Sequence, residues 1–213
     1  MQNKTLTIRY LKNFDSPDIS SLPMHFIDCD NSWQGNNKEV KSSFRICYNE
    51  ESLHIIFSTA GAPATCRHFA DLSAVCEDSC VEFFIQPSPD GEYFNFEFNV
   101  AGYLNASHRK ERPNPVRLTA EELAIIDRQG NFCKDDFSEM SILSEREWEM
   151  AVTIPWKILG VVPRPGMIMR ANFQAVCSAG NPPYYMSWSP IDTPKPDFHR
   201  PEFFGEIILG EKA

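Results

Sequence analysis

Two glutamates on neighbouring strands of one predicted hairpin are the first residues of this chain whose spacing suggests chemistry. Residues 81–87 and 93–100 read as strands around a loop whose proline and glycine suit a hairpin connection. If that loop is symmetric about its centre, Glu82 lies directly opposite Glu97. Like charges opposed in this way destabilise a sheet, so a compensating partner is expected beside them.

The hairpin face that carries these glutamates mixes carboxylates, amides and aromatic rings. The opposite face of the hairpin is apolar and is predicted to face the core. Its expected buried residues are Phe83, Ile85, Phe94, Phe96 and Phe98. Amides and carboxylates pair with sugar hydroxyls, and a flat ring stacks on the apolar side of a pyranose. The pattern therefore favours carbohydrate recognition, while an ordinary solvent-facing sheet surface remains an open interpretation of it.

A third predicted strand, residues 169–174, offers a cation for the glutamates. Arg170, Asn172 and Gln174 share one face of it, which leaves the apolar residues of the strand for the core. If this strand neighbours the hairpin, Arg170 is expected to bridge the two carboxylates.

The hydrophobic pattern has a period of two along most of the chain, which indicates strands rather than helices. Helix is scarce: a capping box begins a short one at Thr119, and Pro155 with Gly160 frames a single turn. Regularly spaced strands with few helices predict an all-β fold. We expect one antiparallel β-sandwich, jelly-roll-like, that occupies residues 1–213 as a single domain with one or two short helices.

Composition excludes several classes of partner. The 213 residues carry a net charge of −9, which disfavours binding to nucleic acid and to anionic membrane surfaces. No apolar run is long enough to span a bilayer, and the first residues lack the apolar core of a signal peptide. A cytoplasmic location is expected, or a periplasmic or secreted one if a leader was removed. Seven cysteines without a C-x-x-C pair indicate reduced thiols rather than a zinc site.

Four sequence segments resemble family 9 carbohydrate-binding modules, above all the stand-alone family 9-like proteins of Bacteroides-type bacteria. The resemblance spans roughly residues 33–209 and is strongest at 78–99 and 187–205. Its motifs in this chain are DSCVEFFI, YFNFEFN, SWSPI and PDFHRPEFFG.

The resemblance implies a non-catalytic sandwich that binds a poly- or oligosaccharide of the xylan or glucan type, at chain ends in some members. In the family, a sugar lies between two tryptophans while a glutamate bonds its hydroxyls; Glu82 matches that glutamate and Trp188 one tryptophan. Residues 74–76 stand where the second tryptophan is expected, and Glu97 replaces an arginine. No cofactor is expected except the structural calcium that some members hold, for which no ligands can be placed here.

No catalytic residue is expected, and two alternatives stay open. Glu82 and Glu97 suit a glycoside hydrolase, since cross-strand side chains lie about 5 Å apart, near the carboxyl separation of retaining enzymes. A structural or protein-interaction sandwich that has lost sugar binding is the other alternative. The expected ligand-binding residues are Glu82, Trp188, Asn95, Glu97, Arg170 and Asn172.

The remaining tryptophans and one histidine have more modest expected roles. Trp33, Trp148 and Trp156 are expected to pack in the interior. His199 lies in a loop between prolines, where it either bonds a ligand at the edge of the polar face or holds the loop to a backbone carbonyl.

Overall fold

A computed structural model describes residues 4–14, 19–29, 33, 38–132, 136–137, 141–142 and 147–212. Two short helices are α1 (Ala120–Ala124) and α2 (Trp156–Leu159). The strands are β1 (Thr5–Tyr10), β2 (His25–Phe26), β3 (Lys41–Tyr48), β4 (Ser52–Ala60), β5 (Thr65–Cys66), β6 (Cys80–Gln86), β7 (Tyr93–Asn99), β8 (Leu104–Arg109), β9 (Val116–Arg117), β10 (Asp127–Gly130), β11 (Ser141–Ile142), β12 (Glu147–Pro155), β13 (Ile168–Cys177), β14 (Tyr184–Ser187) and β15 (Gly205–Leu209).

Thirteen of the strands form two layers that share β1, and β5 pairs with β11 in a separate two-stranded sheet. One layer has the order β10-β12-β4-β3-β1, with β2 on β3, and the other has the order β1-β15-β13-β6-β7-β8-β9, with β14 on β13. Residues 5–8 of β1 pair with β15, and residues 9–10 pair with β3. The predicted all-β sandwich is confirmed, with one difference from the expected antiparallel arrangement: β1, which joins the two layers, pairs in parallel with both of its neighbours.

The apolar faces of the two layers meet in an inner core. Phe44 of β3 stacks on Phe173 of β13, with ring centroids 3.7 Å apart and planes 12° from parallel. Trp148 and Trp156 are buried in the same core, as the sequence predicts. Removal of this aromatic surface from water is the dominant stabilising contribution to such a sandwich.

The hairpin of β6 and β7 has the register that the symmetric loop predicts, with Glu82 opposite Glu97 and Phe83 opposite Phe96. Its inner-facing rings are buried except that of Phe94, which is only partly buried. This ring lies near the loop end of the hairpin, 5.3 Å from the imidazole of His108, where the core thins out. The burial predicted for Phe94 is therefore only partial.

Both predicted helical turns are present. The Thr119 hydroxyl accepts a hydrogen bond from the Glu122 amide, and the Glu122 carboxylate accepts one from the Thr119 amide. Gly160 ends α2 with φ at 66°, a left-handed conformation that glycine adopts without strain. Among the described residues, no helix is long and apolar enough to cross a membrane.

The polar face of β6, β7 and β13 is not an open surface, because a second apolar layer covers much of it. We call this layer the outer cluster: Trp33, Val75, Cys80, Phe84, Tyr93, Val176, Ile191, Phe198 and Phe204. The predicted packing role of Trp33 is confirmed here, since its indole N–H donates to the carbonyl oxygen of Thr193 at 2.8 Å. Polar residues beneath the outer cluster are consequently buried.

Candidate functional site

A cleft of about 150 Å³ opens between the outer cluster and the sheet, and we call it the outer-face cleft. Glu82, Phe84 and Glu97 form its floor. Cys76, Arg112, Val176, Ser178, Tyr185 and the loop 196–199 form its walls. The cleft thus combines two carboxylates with aromatic rings, as the polar face of the hairpin predicts.

Glu82 is the least compensated polar group of the floor. The residue is 2% exposed, and its Oε2 atom has no hydrogen-bond partner among the described residues. Burial raises the pKa of this carboxyl well above its usual range, and the negative charge of Glu97 raises it further. Gln174, its neighbour on β13, also has both side-chain amide atoms buried without a described partner. The floor therefore has unused hydrogen-bonding capacity.

Glu97 is better compensated than Glu82. Its carboxylate accepts hydrogen bonds from the side-chain amides of Asn95 at 2.8 Å and Asn105 at 2.9 Å. Burial raises its pKa, while these amides and the nearby Arg109 act in the opposite direction. Of the two opposed glutamates, Glu97 is therefore the one that carries negative charge more readily.

Asn95 positions Glu97 and is itself fully buried. Its side-chain oxygen accepts hydrogen bonds from the hydroxyl of Ser107 at 2.7 Å and from the guanidinium of Arg109 at 2.9 Å. Arg109 also contacts the hydroxyl of Ser107. Because its amide is used in these internal contacts, Asn95 does not line the cleft and acts only through Glu97. Arg109 is the cation of this network, and sequence reasoning missed it.

Arg170 and Asn172 lie on the same strand face but are not brought to the glutamates. Arg170 is opposite Gln86, two positions beyond Phe84, and its guanidinium donates to the carbonyl oxygens of Glu202 and Phe204. The predicted bridge from Arg170 to the glutamates is therefore not formed.

The amide of Asn172 is engaged with a neighbouring loop. Its nitrogen donates to the carbonyl oxygen of Ser189 at 3.0 Å, and its oxygen accepts from the backbone N–H of Ser189 at 2.8 Å. These two bonds fasten the chain after β14 to the sheet, and they leave Asn172 fully buried.

Trp188 does not line the outer-face cleft. The residue is 3% exposed, and its indole packs edge-on against Phe44 at 6.1 Å and Phe173 at 5.6 Å in the inner core. The motif match indicates an aromatic residue in this segment, yet the ring faces the other side of the sheet. The structure therefore corrects the predicted stacking platform to a packing residue.

The aromatic walls of the cleft are Tyr185 and Phe198 instead. Trp33 supports both, with its ring centroid 6.3 Å from Tyr185 and 5.7 Å from Phe198. Tyr185 is only partly buried, so its ring is the more accessible of the two walls. Phe198 lies within a matched motif, whereas Tyr185 lies in a segment without a clear motif and had no signal that could find it.

His199 completes the wall and is neutral at physiological pH. Its Nδ1 atom lies 3.1 Å from the hydroxyl of Tyr93, and its ring centroid is 4.9 Å from that of Phe84. Burial, together with Arg109 and Arg112, lowers the pKa of this imidazole to about 3. The loop is therefore held to a side-chain hydroxyl rather than to the backbone carbonyl that one interpretation of the sequence expects.

An ion pair lies at the mouth of the cleft. Arg112 and Asp197 are 2.5 Å apart, and Asp197 also accepts a hydrogen bond from the backbone N–H of His199 at 3.1 Å. Asp197 thus holds both the loop and the cation. Within the described part of the chain, no group of three His, Cys, Asp or Glu side chains is arranged to hold a metal ion, so a calcium site finds no such cluster there.

Comparison with known proteins places these features in a family context. A family model described as carbohydrate-binding family 9 matches residues 17–209. A candidate carbohydrate-binding protein from Bacteroides uniformis, solved by crystallography, is 26% identical, with a TM-score of 0.87 over 98% of this chain and 100% of that chain. No protein with a curated description is significantly similar to the chain.

Two further solved structures show the same fold at lower identity. A family 9 carbohydrate-binding module from Caldicellulosiruptor kristjanssonii, in complex with glucose, is 12% identical, with a TM-score of 0.64 over 99% of this chain and 97% of that chain. The module in complex with cellotriose is also 12% identical, with a TM-score of 0.66 over 99% and 95%.

Proposed function

Because the chain belongs to carbohydrate-binding family 9, we propose that it binds one terminal sugar ring of a poly- or oligosaccharide in the outer-face cleft. The observation that carries this proposal is the buried, unpartnered Oε2 atom of Glu82 on the cleft floor. Leaving a buried polar atom unpaired costs about 1–3 kcal/mol, and a sugar hydroxyl is a ligand that removes this cost.

The walls suit the apolar side of a sugar. Tyr185 presents a partly exposed ring, and Trp33 holds that ring and Phe198 in place. Pre-positioned rings of this kind lose little conformational freedom when a ligand binds. Stacking on Tyr185, and not on Trp188, is therefore the proposed source of apolar contact.

The dimensions of the cleft favour a chain end. Its volume of about 150 Å³ corresponds to roughly five water molecules at about 30 Å³ each. That space suits one ring and leaves the rest of an oligosaccharide outside. Neutral xylan- and glucan-type chain ends are the first ligands to test.

We propose that binding occurs without cleavage, since a glycosidase must hold the sugars on both sides of the bond that it breaks. Both carboxylate oxygens of Glu97 already accept hydrogen bonds from asparagines. The glycosidase alternative retains one favourable observation, the raised pKa of Glu82 beside an opposed carboxylate. Turnover of an oligosaccharide that disappears in Glu82→Gln would establish that alternative.

Isothermal titration calorimetry with cello- and xylo-oligosaccharides tests the binding site. The expected dissociation constant is on the order of 0.1–1 mM, since the cleft is small. Tyr185→Ala is expected to weaken binding at least about tenfold while the melting temperature stays close to that of the parent.

The matched control is Glu206→Gln, an exposed residue on β15 of the same sheet, and it should bind like the parent. Chromatography of the incubated sugars should show no products. Undiminished binding by Tyr185→Ala would place the site elsewhere. Absence of binding across a broad sugar panel would favour the structural or protein-interaction alternative.

A further inference from the structure

We propose that the sugar ring bound in the outer-face cleft carries a primary ammonium group, as an unacetylated amino sugar does, and that this ammonium contacts Glu82 and Glu97. The proposal rests on the function proposed above and narrows its ligand from sugars in general to cationic sugars. Three features of the cleft carry it: its charge balance, its hydrogen-bonding deficit and the position of the two carboxylates.

Among the described residues, the floor of the cleft holds two carboxyl groups and no cationic side chain. The cation at the mouth, Arg112, is paired with Asp197, and Arg109 is directed to the side chains of Asn95 and Ser107. Among the described residues, no ion pair reaches either carboxylate of the floor. Arg109 lies behind Glu97 and acts to lower the pKa of that carboxyl, but it forms no described ion pair with it. A cationic ligand is therefore the direct partner that the opposed glutamates lack.

At the two carboxyl groups the hydrogen-bonding deficit is a deficit of donors, whereas the neighbouring Gln174 lacks a described partner for both its amide nitrogen and its amide oxygen. Glu97 is bonded by neutral amides, and Glu82 Oε2 is bonded by nothing in the described part of the chain. An ammonium group offers three donors and no acceptor, whereas a hydroxyl offers one donor. Hydrogen bonds between charged groups are also roughly twice as strong as those between neutral groups.

The two carboxylates are placed so that one small group can reach both. Glu82 and Glu97 are register partners on adjacent strands, and both line the same cleft. Directly opposed side chains have Cβ atoms about 4.5–5.5 Å apart. An ammonium between them would contact one carboxylate oxygen of Glu82 and one of Glu97 at the same time. Its positive charge would offset the repulsion between the two carboxylates, which otherwise favours retention of a proton by one of them.

Proton release on binding can test the contact with Glu82, because burial and the charge of Glu97 raise the pKa of this carboxyl. An ammonium stabilises the ionised form of Glu82, so binding should transfer a proton from that carboxyl to the buffer. A neutral sugar has no such effect. The other charged or titratable groups that surround the floor are Glu97 on β7, Cys76 before β6, Tyr185 on β14, Asp197 and His199 in the loop, Arg112 at the mouth and Arg109 behind Glu97.

Calorimetry on the full chain at pH 6 tests the proposal with four compounds: glucosamine, glucose, N-acetylglucosamine and ethanolamine. Glucosamine should bind about tenfold more tightly than glucose, because a charge-assisted hydrogen bond replaces a neutral one. N-acetylglucosamine should bind no better than glucose, and ethanolamine should not bind. Glu82→Gln should weaken the binding of both sugars and reduce the preference for glucosamine over glucose to near unity, whereas Glu206→Gln should keep both the affinity and the preference.

The other possible outcomes separate failure of the ammonium proposal from failure of the sugar-binding proposal. Equal binding of glucose and glucosamine overturns the ammonium proposal and leaves sugar binding intact. Binding of ethanolamine as tightly as glucosamine also overturns it, because the cleft would then recognise a cation without a sugar. Failure of every sugar to bind removes both proposals.

A second measurement on the parent protein does not depend on the variant. The binding enthalpy of glucosamine is measured at pH 6 in two buffers with different ionisation enthalpies. The proposal expects proton release to the buffer for glucosamine and none for glucose. Glucosamine binding without proton release would overturn the contact with Glu82.

Discussion

The two faces of the strands β6, β7 and β13 differ in how completely their side chains are satisfied. On the inner face, Phe83, Phe96 and Phe173 are fully buried against one another and against the opposite layer. On the outer face, Glu82 and Gln174 are just as buried, but Oε2 of Glu82 and both amide atoms of Gln174 have no hydrogen-bond partner among the described residues. The inner face thus holds the fold together, while the outer face retains capacity for a ligand.

The unsatisfied atoms concentrate on one side of one sheet. Among the described residues, every buried side-chain nitrogen or oxygen without a partner belongs to Glu82, Gln86, Gln174 or Arg109, all on β6, β13 or β8. Native proteins contain few such atoms, and each destabilises the fold by about 1–3 kcal/mol. Their concentration beside the outer-face cleft supports the proposal that this part of the sheet binds the ligand.

The largest expected effect of a substitution belongs to the inner face. Phe96→Ala removes a fully buried ring from the core, and we expect a loss of about 3–5 kcal/mol in the free energy of unfolding. Urea denaturation monitored by circular dichroism measures it. A loss of unfolding free energy below about 1 kcal/mol would contradict the claim that the inner face holds the fold together.

Trp188→Ala distinguishes the core role of this tryptophan from the role that motif matching suggests. We expect a loss of about 3–5 kcal/mol in unfolding free energy, because the indole packs on Phe44 and Phe173. The folded fraction should bind sugar like the parent, as titration at low temperature would show. A stably folded variant that has lost binding would return Trp188 to the site.

Glu82→Gln probes the outer face through the pH dependence of stability. Because the pKa of Glu82 is raised in the folded protein, the native state holds a proton that the unfolded chain releases, and the parent loses stability as pH rises from about 4.3 through the raised pKa. Glutamine does not titrate, so the stability of the variant relative to the parent should increase over this interval, by at most about 1.4 kcal/mol per pH unit.

Thermal denaturation from pH 4 to pH 8 measures this difference, with Glu206→Gln as the control. The control is exposed on the same sheet and should follow the parent at every pH. Parallel profiles for Glu82→Gln and the parent would mean that Glu82 is solvated and ionised throughout.

Local pattern was sufficient to predict the hairpin and its register. Alternation and loop symmetry place Glu82 opposite Glu97, and the capping residues Thr119 and Gly160 locate the two short helices. The cover of the outer face could not be predicted, because it brings Trp33 against Tyr185 and Phe198 from distant parts of the chain.

Trp188 illustrates a further limit of sequence patterns. A motif match identifies a position, but the side on which a residue after a strand faces depends on the path of the loop. Here the backbone N–H of Trp188 donates to the carbonyl oxygen of Phe173, and the indole ring packs in the inner core. The predicted bridge from Arg170 fails for a related reason: the register between β6 and β13 places Arg170 opposite Gln86, and Gln174 opposite Glu82.

A crystal structure of the protein soaked with the tightest ligand from the calorimetric panel tests the central claim most directly. We predict one terminal ring in the outer-face cleft, stacked on Tyr185 and within hydrogen-bond distance of Glu82. A ring bound anywhere else, for example in the depression beside Phe26 and Trp148, would contradict the assignment of the outer face as the binding surface.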